Sequence, residues 1–252
     1  MLKIVVTFAV AAEFDPWRRM SRFEAVHKNG LPTYSARIGD AEVHAVITGI
    51  GTRSVGNEFQ DLFADADFCI ATGLAGGLKK PYRAGTLLVA RAIRTNDSEL
   101  KVRSHAVLVE CANQCGAAAV DCFFTSSGVM NSSAEKLRLG NIADAVEMES
   151  FHVLSEAERY GVPAVAVRAI SDPVETDVPM DFSRVIDRRG QIAWLRALGE
   201  IVRRPTRIPE LVRFGIESSH AAKQLALFLD RYIKLLIGRT DLQFSIIRAG
   251  AK

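Results

Sequence analysis

Short apolar segments, several of them ending at a glycine or an acidic residue, alternate along this chain with segments of helical periodicity. Residues 3–9 (KIVVTFA) and 67–73 (DFCIATG) are nearly continuous apolar runs, which is typical of strands buried on both faces. A chain that alternates such strands with helices favours an α/β fold, with a mostly parallel sheet covered by helices on both faces. The same pattern predicts further strands at 41–51, 85–93, 118–125, 144–148 and 162–171.

Helices are expected between these strands. Asp15 followed by Pro16 matches an N-cap with proline at the first helical position, so the first helix is predicted to begin near residue 16. Further helices are predicted at 52–64, 132–139 and 151–160. These helices would form the layers that cover the sheet.

Composition and cysteine usage exclude several classes of protein. The chain has 252 residues, of which 48% are hydrophobic and 24% charged, as in an ordinary globular protein with one large domain or one domain plus an appendage. The formal net charge of +3 is too small to indicate nucleic-acid binding. Of the four cysteines only Cys111 and Cys115 are close, with no histidine nearby, so we predict reduced thiols of a cytoplasmic protein without a metal site or cofactor. The apolar N-terminus is interpreted as a strand rather than a signal peptide, and no run is long enough to span a membrane.

The last fifty residues differ from the rest of the chain. Residues 201–252 contain ten Lys and Arg residues against four Asp and Glu residues. Apolar side chains in this segment recur at helical spacing and predict an amphipathic helix over 217–237; they are Ala222, Leu225, Leu229, Tyr232 and Leu236. We therefore divide the chain into a main domain, 1–200, and a basic helical extension, 201–252. The helix could pack on the core, form a dimer contact or dock on an anionic membrane surface, and the sequence leaves these three alternatives open.

Acidic residues follow several of the predicted strands. In a parallel sheet ligands bind at the carboxyl ends of the strands, and four carboxylates lie just past such ends: Glu13, Glu147, Glu149 and Asp172. Each has a simpler interpretation, since Glu13 could cap the first helix and Asp172 could shape the turn before Pro173. Glu147 and Glu149 would share a face if their strand continued that far. Buried charges are costly without a partner or a task, so four together favour a functional site.

Three motifs occur in a fixed order after Glu13. They are TGLAGGL at 72–78, AVEMES at 145–150 and VRAISD at 167–172. Together they resemble the nucleoside phosphorylase and nucleosidase superfamily, most closely its methylthioadenosine/S-adenosylhomocysteine nucleosidase branch, and the resemblance covers roughly residues 1–200. It implies a three-layer α/β/α sandwich with a central mixed, twisted and partly barrel-like sheet, as in the purine nucleoside phosphorylases.

The resemblance also implies roles for individual residues. Cleavage of a ribosyl–purine bond passes through an oxocarbenium-like state, so the leaving base must be protonated, and Asp172 matches the residue that protonates purine N7. An aspartic acid has a reference pKa of about 3.9, so Asp172 would need burial to hold a proton at neutral pH. Glu13 matches the residue that orients and deprotonates water, Glu149 matches the ribose-hydroxyl ligand, and Met148 matches the residue under the sugar. The remaining implied substrate-binding residues are Glu147, Ala75, Gly76, Ser171, Val129 and Met130.

The choice between water and phosphate as nucleophile depends on a few positions. The hexameric purine phosphorylases that the chain resembles carry an arginine two residues before the first glycine of the turn, and Ala71 stands there in this sequence. Glu13 at the nucleophile position would repel a phosphate dianion. Both features favour hydrolysis. Arg18, Arg53 and Arg91 leave a phosphate site by another route open.

The sequence departs from the nucleosidase pattern at two places. Leu74 replaces the usual serine of the turn, and the base-binding loop at 125–133 has Val129 and Met130 where an aromatic residue would stack on the purine. Three phenylalanines are candidates to replace that ring: Phe123, Phe124 and Phe151. The C-terminal extension is similar to that of hopanoid-associated phosphorylase-like proteins, which implies a lipid-linked adenosine as an alternative substrate.

Several functions therefore remain open. We expect hydrolysis of a 5′-modified adenosine by a homo-oligomer, at least a dimer, because members of this superfamily commonly complete each active site with a residue of a neighbouring subunit. The alternatives are a phosphate-dependent phosphorylase, a nucleosidase for a lipid-linked adenosine and a purine-nucleoside-binding module without turnover. The last alternative is suggested by Leu74 and by the absent stacking ring.

Overall fold

A computed structural model of the chain describes residues 1–26, 30–51, 59–96, 100–130, 132–177 and 208–239. The ten strands in these ranges are β1 (Leu2–Phe8), β2 (Glu24–Val26), β3 (Thr33–Ile38), β4 (Ala41–Ile47), β5 (Phe68–Gly77), β6 (Leu87–Arg94), β7 (Lys101–Arg103), β8 (Ala118–Thr125), β9 (Ala145–Glu147) and β10 (Ala164–Asp172). The helices in these ranges are α1 (Ala11–Ser21), α2 (Gln60–Phe63), α3 (Ala106–Gln114), α4 (Ser133–Leu139), α5 (Ser150–Arg159) and α6 (Ile208–Gly238).

One mixed sheet organises the molecule and closes on itself at one side. The strand order is β10-β6-β8-β9-β5-β1-β4-β3-β2, and β10 pairs with β5 as well as with β6. The five strands β5, β10, β6, β8 and β9 therefore form a closed ring, while β1, β4, β3 and β2 extend the sheet from β5. Because β5 lies parallel to both β1 and β10, the carboxyl ends of these three strands meet at one edge of the sheet.

Helices cover both faces of the sheet and form the predicted three layers. Along β1, Ile4 and Val6 belong to a core cluster with α1, α3 and α6, whereas Val5 faces a second cluster with α2 and α5. This alternation follows from the two-residue period of a strand, and both sets are apolar because both faces are buried. The α/β/α architecture with a central mixed, partly barrel-like sheet is confirmed.

Two expectations about the sheet and the first helix are wrong. The sheet is not mostly parallel, because five of its strand pairs are antiparallel, including β10 with β6 and β5 with β9. The first helix begins at Ala11, not near residue 16, and Pro16 lies inside it. The helix begins early because the Glu13 carboxylate accepts hydrogen bonds from the backbone N–H groups of Ala9 and Val10, which fixes its first turn.

Four elements were not predicted, namely β2, β3, β7 and α3. Strands β2 and β7 have three residues each, too few for alternation to be visible. The first eight residues of α3 (AVLVECAN) include a Val-Leu-Val run, which indicates a strand as readily as a helix. Of the predicted helix at 52–64, residues 52–58 lie outside the described residues.

Helix α6 confirms the amphipathic helix predicted at 217–237 and extends it to 31 residues. Its apolar face packs on the core, with Leu225, Leu229 and Leu236 fully buried. The hydroxyl of Tyr232 donates a hydrogen bond of 2.7 Å to the Leu108 carbonyl of α3. No helix within the described ranges combines the length and apolar character needed to cross a bilayer. The proposed boundary at residue 200 lies outside the described residues, so the division of the chain stays a prediction.

Candidate active site

A cavity opens where the carboxyl ends of β1, β5 and β10 meet. Its volume of about 170 Å³ is an order of magnitude above the roughly 10–15 Å³ that one water molecule needs, so it can hold a small organic ligand. All ten sequence-predicted site residues line this cavity: Glu13, Ala75, Gly76, Val129, Met130, Glu147, Met148, Glu149, Ser171 and Asp172. The structure thus brings together residues that are up to 159 positions apart in the sequence.

Arg168 of β10 does not line the cavity but lies behind one end of it, against carboxylates that do. Its guanidinium is 1% exposed, pairs with the Glu147 carboxylate and lies 3.5 Å from Oε2 of Glu149. It also donates to the Thr72 carbonyl at 2.7 Å and to the Ser150 hydroxyl at 2.9 Å. We call Arg168, Glu13, Glu147 and Glu149 the arginine cluster. One cation therefore faces three buried carboxylates.

Glu13 reaches the arginine cluster from the first turn of α1. Its Oε1 accepts the N–H of Leu74 at 2.9 Å, and its Oε2 accepts the N–H of Ala9 at 3.0 Å. Burial raises the pKa of the Glu13 carboxyl, while the nearby charge of Arg168 and these backbone hydrogen bonds oppose that rise. A buried carboxylate with raised proton affinity, held in one orientation, is suited to accept a proton from a bound molecule.

Glu147 and Glu149 have different positions in the cluster. Glu147 accepts the hydroxyl hydrogen of Thr125, and its Oε2 accepts the N–H groups of Glu149 and Ser150 at 3.0 and 2.7 Å. These bonds end β9 at Glu147 and begin α5, so the strand does not continue to Glu149 as the shared-face argument required. The two carboxylates nevertheless meet at Arg168.

The carboxylate of Glu149 accepts fewer hydrogen bonds than that of Glu147. Its Oε1 accepts the N–H of Gly51 at 2.9 Å. Burial raises the pKa of Glu149 to about 7, Arg168 opposes the rise, and the neighbouring charge of Glu147 adds to it. For Arg168, burial lowers the pKa of the guanidinium. The carboxylates of Glu147, Glu149 and Glu13 outweigh this effect, and the pKa of Arg168 is raised. The cluster is therefore short of positive charge.

Asp172 lies at the other end of the cavity, at the end of β10. Its Oδ1 accepts the Ser171 hydroxyl at 2.6 Å. Its Oδ2 pairs with the ammonium of Lys136, whose side chain is fully buried. We call these two residues the Asp172–Lys136 pair. Asp172 thus has one cation to itself, unlike the carboxylates of the arginine cluster.

Two glycines of β5 let the strand approach these charged groups. A Cβ at Gly73 would lie 2.5 Å from Nη1 of Arg168 and 2.9 Å from Oε2 of Glu13, and the positive φ of Gly73 (+143°) also disfavours any other residue. A Cβ at Gly76 would lie 3.0 Å from Oδ2 of Asp172. In the register of the sheet, Gly73 is paired with Arg168 and Gly76 with Asp172.

The loop after β8 and helix α6 line the mouth of the cavity. Val129 and Met130 lie there as predicted, together with Phe214 of α6. The expectation that Phe123, Phe124 or Phe151 supplies a ring is wrong, because none of them lines the cavity. Phe123 and Phe124 are buried in apolar clusters, and Phe151 packs against one of them.

Three residues of the site were missed from the sequence. Arg168 had a visible signal, since an arginine inside the apolar strand AVAVRAISD must find a partner when it is buried. Lys136 had none, because its helix (SAEKLRL) resembles an exposed one. Phe214 lies at the start of a helix whose first residues are largely exposed.

The residues available in the described ranges do not form a metal centre. In those ranges no group of three or more His, Cys, Asp and Glu side chains is arranged to hold a metal ion. The cavity-lining residues described there also contain no lysine or arginine side chain. Arg18 instead lies over the Tyr34 ring at 4.8 Å, Arg91 is exposed, and Arg53 lies outside the described residues.

Comparisons with known proteins agree with this architecture. A family model described as the phosphorylase superfamily matches residues 3–193. The chain is similar in fold to the 5′-methylthioadenosine/S-adenosyl homocysteine nucleosidase of Campylobacter jejuni, with a TM-score of 0.70 and 18% identity over 93% of this chain and 99% of that one. A futalosine hydrolase mutant of Helicobacter pylori gives the same TM-score, identity and coverage. The nucleosidase of Neisseria meningitidis in complex with methylthio-immucillin-A gives a TM-score of 0.68 at 18% identity, over 93% of this chain and 99% of that one.

Proposed function

The chain belongs to the phosphorylase superfamily, and we propose that it is a nucleosidase that uses water to cleave the N-glycosidic bond of a purine nucleoside, a 5′-modified adenosine. The observation that carries this proposal is the convergence of Glu13, Glu149 and Asp172 on one cavity from three separate strand ends. The fold similarity to two nucleosidases and a futalosine hydrolase supports the same class of reaction.

Glu13 is the general base in this proposal. Its carboxylate is fixed by the N–H groups of Leu74 and Ala9 and has a raised pKa because it is buried. A water molecule held against Glu13 would lose its proton to the carboxylate as its oxygen attacks the sugar C1′. Arg168 stabilises the ionised form of Glu13 before the proton is transferred.

Glu149 and Met148 hold the sugar in this proposal. The Glu149 carboxylate lies between the Gly51 N–H and Arg168, and it would accept hydrogen bonds from the ribose hydroxyls. Met148 would pack under the ring. Negative charge at this end also favours the positive charge that develops on the ribosyl group as the bond breaks.

Asp172 is the general acid in this proposal. It would donate a proton to the purine ring as the C–N bond breaks, so that the base departs neutral. The hydroxyl oxygen of Ser171 lies 2.6 Å from Oδ1 of Asp172 and 3.2 Å from the Ala75 carbonyl oxygen, and it fixes the orientation of Asp172. Val129, Met130 and Phe214 would form the apolar walls around the base and the 5′ substituent.

Water is favoured over phosphate by the charge of the arginine cluster. Three carboxylates surround Arg168, and the guanidinium is already used by Glu147, Thr72 and Ser150. Among the described residues that line the cavity, no lysine or arginine would meet a phosphate dianion at this place, where it would face Glu13 and Glu149. Water carries no such penalty.

The decisive experiment compares substrates and nucleophiles. The purified chain is incubated with methylthioadenosine, S-adenosylhomocysteine and inosine, each with and without phosphate, and the products are separated. We expect adenine and a free 5′-modified ribose at a rate independent of phosphate. Ribose 1-phosphate formed only with phosphate would identify a phosphorylase instead, and binding without any turnover would identify a binding module.

Two finer features belong to the same proposal. We propose a homodimer, with α6 at or near the contact, and sedimentation of the full chain tests it. An active and stable monomer would contradict it. Peripheral membrane contact through α6 is the alternative use of its exposed apolar side chains, which include Ile208, Val212 and Ile216.

A further inference from the structure

The side chain of Lys136 is fully buried, and within the described part of the chain its hydrogen bonds go to Asp172 and to the turn that follows it. The ammonium pairs with Oδ2 of Asp172, donates to the Thr176 carbonyl at 3.0 Å and reaches the Pro173 carbonyl at 3.5 Å. Lys136 does not line the cavity, whereas Asp172 does. The ion pair with Asp172 therefore links Lys136 directly to a residue that lines the cavity.

An aspartate in water has lost its proton well below neutral pH, yet a general acid needs one when the substrate is bound. The resemblance implied that Asp172 would need burial to hold a proton. In the structure Asp172 is buried and shares its site with the ammonium group of Lys136, which carries protons of its own. The pair as a whole therefore holds the proton that the reaction needs.

We propose that Lys136 is a positioning residue and proton reservoir that supplies Asp172 with the proton it gives to the leaving base. This inference rests on the proposed nucleosidase reaction and adds a residue to it. Lysine suits this role, because its ammonium can release a proton in a dry site, whereas an arginine side chain keeps its proton in proteins.

The proposed step is a proton relay. An ammonium proton of Lys136 moves to the Asp172 carboxylate, and Asp172 passes a proton on to a ring nitrogen of the purine. At the same time the C–N bond breaks, and its electron pair stays on the base. The oxygen of a water molecule bonds to C1′, and the water gives its proton to Glu13. When the products leave, solvent reaches Asp172 through the open cavity, returns a proton to Lys136 and accepts the proton from Glu13.

Other charged groups on the elements around the pair have partners of their own. Glu147 of β9 pairs with Arg168. Lys79, in the segment after β5, pairs with Asp144, just before β9, at 2.6 Å. In the turn after β10, Glu175 lies 3.4 Å from Arg83, and Asp177 accepts the N–H of Ser133 at the start of α4. Glu135, the neighbour of Lys136 on α4, is exposed. Lys136 is therefore the charged side chain that contacts Asp172 directly.

The first test replaces Lys136 and follows the pH dependence of kcat/KM with the purine nucleoside. Lys136→Arg keeps the charge but not the mobile proton, and Lys136→Gln removes both. We expect both variants to lose on the order of 10²-fold or more in kcat with KM nearly unchanged, and the alkaline limb of the profile to move to lower pH. Lys79→Gln, which removes a different lysine–carboxylate pair, is the control and should keep the wild-type profile.

The results that overturn the proposal are specific. Wild-type activity in Lys136→Arg would mean that charge alone suffices. An alkaline limb that moves to higher pH in Lys136→Gln, or does not move, would mean that Lys136 only modifies Asp172 or only supports the fold. Loss of activity in Asp172→Asn alongside any of these outcomes would leave the proposed nucleosidase function standing.

A second substrate separates proton supply from structural damage. In a para-nitrophenyl riboside the leaving group departs as a stable anion and needs no acid, so Lys136→Arg and Lys136→Gln should cleave it at nearly the wild-type rate. Equal losses with both substrates would overturn the proposal. Should neither variant fold, the wild-type chain still provides a test: the purine nucleoside must show an alkaline limb that the nitrophenyl riboside lacks, and its absence would also overturn the proposal.

Discussion

The two ends of the cavity differ in the balance of their buried charges. In the arginine cluster one guanidinium faces three carboxylates, so negative charge is in excess and the pKa values of Glu13 and Glu149 are raised, mainly by burial. In the Asp172–Lys136 pair each charge has one partner. The comparison separates a region suited to accept protons and stabilise positive charge from a region suited to supply a proton.

Removing the single cation from each end is the strongest way to test this comparison. Arg168→Met would leave three buried carboxylates without their partner and should lower the free energy of unfolding by about 3–5 kcal/mol or more. Lys136→Met would leave one carboxylate and should cost less. Urea denaturation at neutral pH measures both. Equal losses would mean that the two ends do not differ in charge balance.

The largest effect on activity is expected at the Asp172–Lys136 pair. Asp172→Asn keeps the size and the hydrogen bond from Ser171 but cannot donate a carboxyl proton. We expect a loss on the order of 10²–10⁴-fold in kcat for purine release, with little change in KM, measured by steady-state kinetics on the folded variant. Glu135→Gln, an exposed position on α4, is the matched control. Undiminished purine release in Asp172→Asn would remove Asp172 from the reaction.

A smaller effect tests the close approach of β5 to the arginine cluster. Gly73→Ala places a Cβ 2.5 Å from Arg168 Nη1, whereas a Cβ at Gly116 meets nothing within 4 Å. Both glycines have positive φ (+143° and +99°), so backbone strain is common to the two variants. We expect Gly73→Ala to lose about 1–3 kcal/mol more stability than Gly116→Ala, as measured by denaturation. Equal losses would mean that the cluster can shift to admit a methyl group.

The last prediction concerns a pH dependence of stability that follows mainly from the burial of Glu149, which Arg168 opposes and the neighbouring charge of Glu147 increases. The pKa of Glu149 is raised from 4.5 to about 7 in the folded chain, so its contribution to stability is full below the unfolded pKa and is lost as the pH rises through 7. Glu149→Gln lacks this loss. The variant should therefore gain about 1–3 kcal/mol on the wild type between pH 4.5 and 8, as measured by denaturation at several pH values. A constant difference would contradict the raised pKa.

The sequence was sufficient to predict most of the cavity because strand ends are local signals. Glu13 and Asp172 each follow an apolar run, and parallel neighbours in the sheet bring such ends together. The four carboxylates singled out at strand ends all line the cavity, and so do the six further residues that the resemblance implied. The three-layer architecture followed from the alternation of strands and helices together with the resemblance of the motifs.

The sequence could not predict the features that depend on long-range packing. The closed ring requires β5 to pair with both β9 and β10, and no local pattern shows that. Lys136 lies between Glu135 and Leu137 on a short helix, and its side chain is buried near Gly76 of β5 and the turn after β10. Pro16 predicted a helix start, but the hydrogen bonds of Glu13 fixed the start five residues earlier.

Strand β10 carries both Arg168 and Asp172, and this has a consequence for how ligand selectivity can change. Four residues of a strand span roughly 13 Å, and here the register shifts between Ile170 and Asp172, which alters the local geometry. The separation of the two ends is therefore fixed by covalent backbone rather than by flexible side chains. Substitutions in the walls can alter which substituents fit without changing this separation.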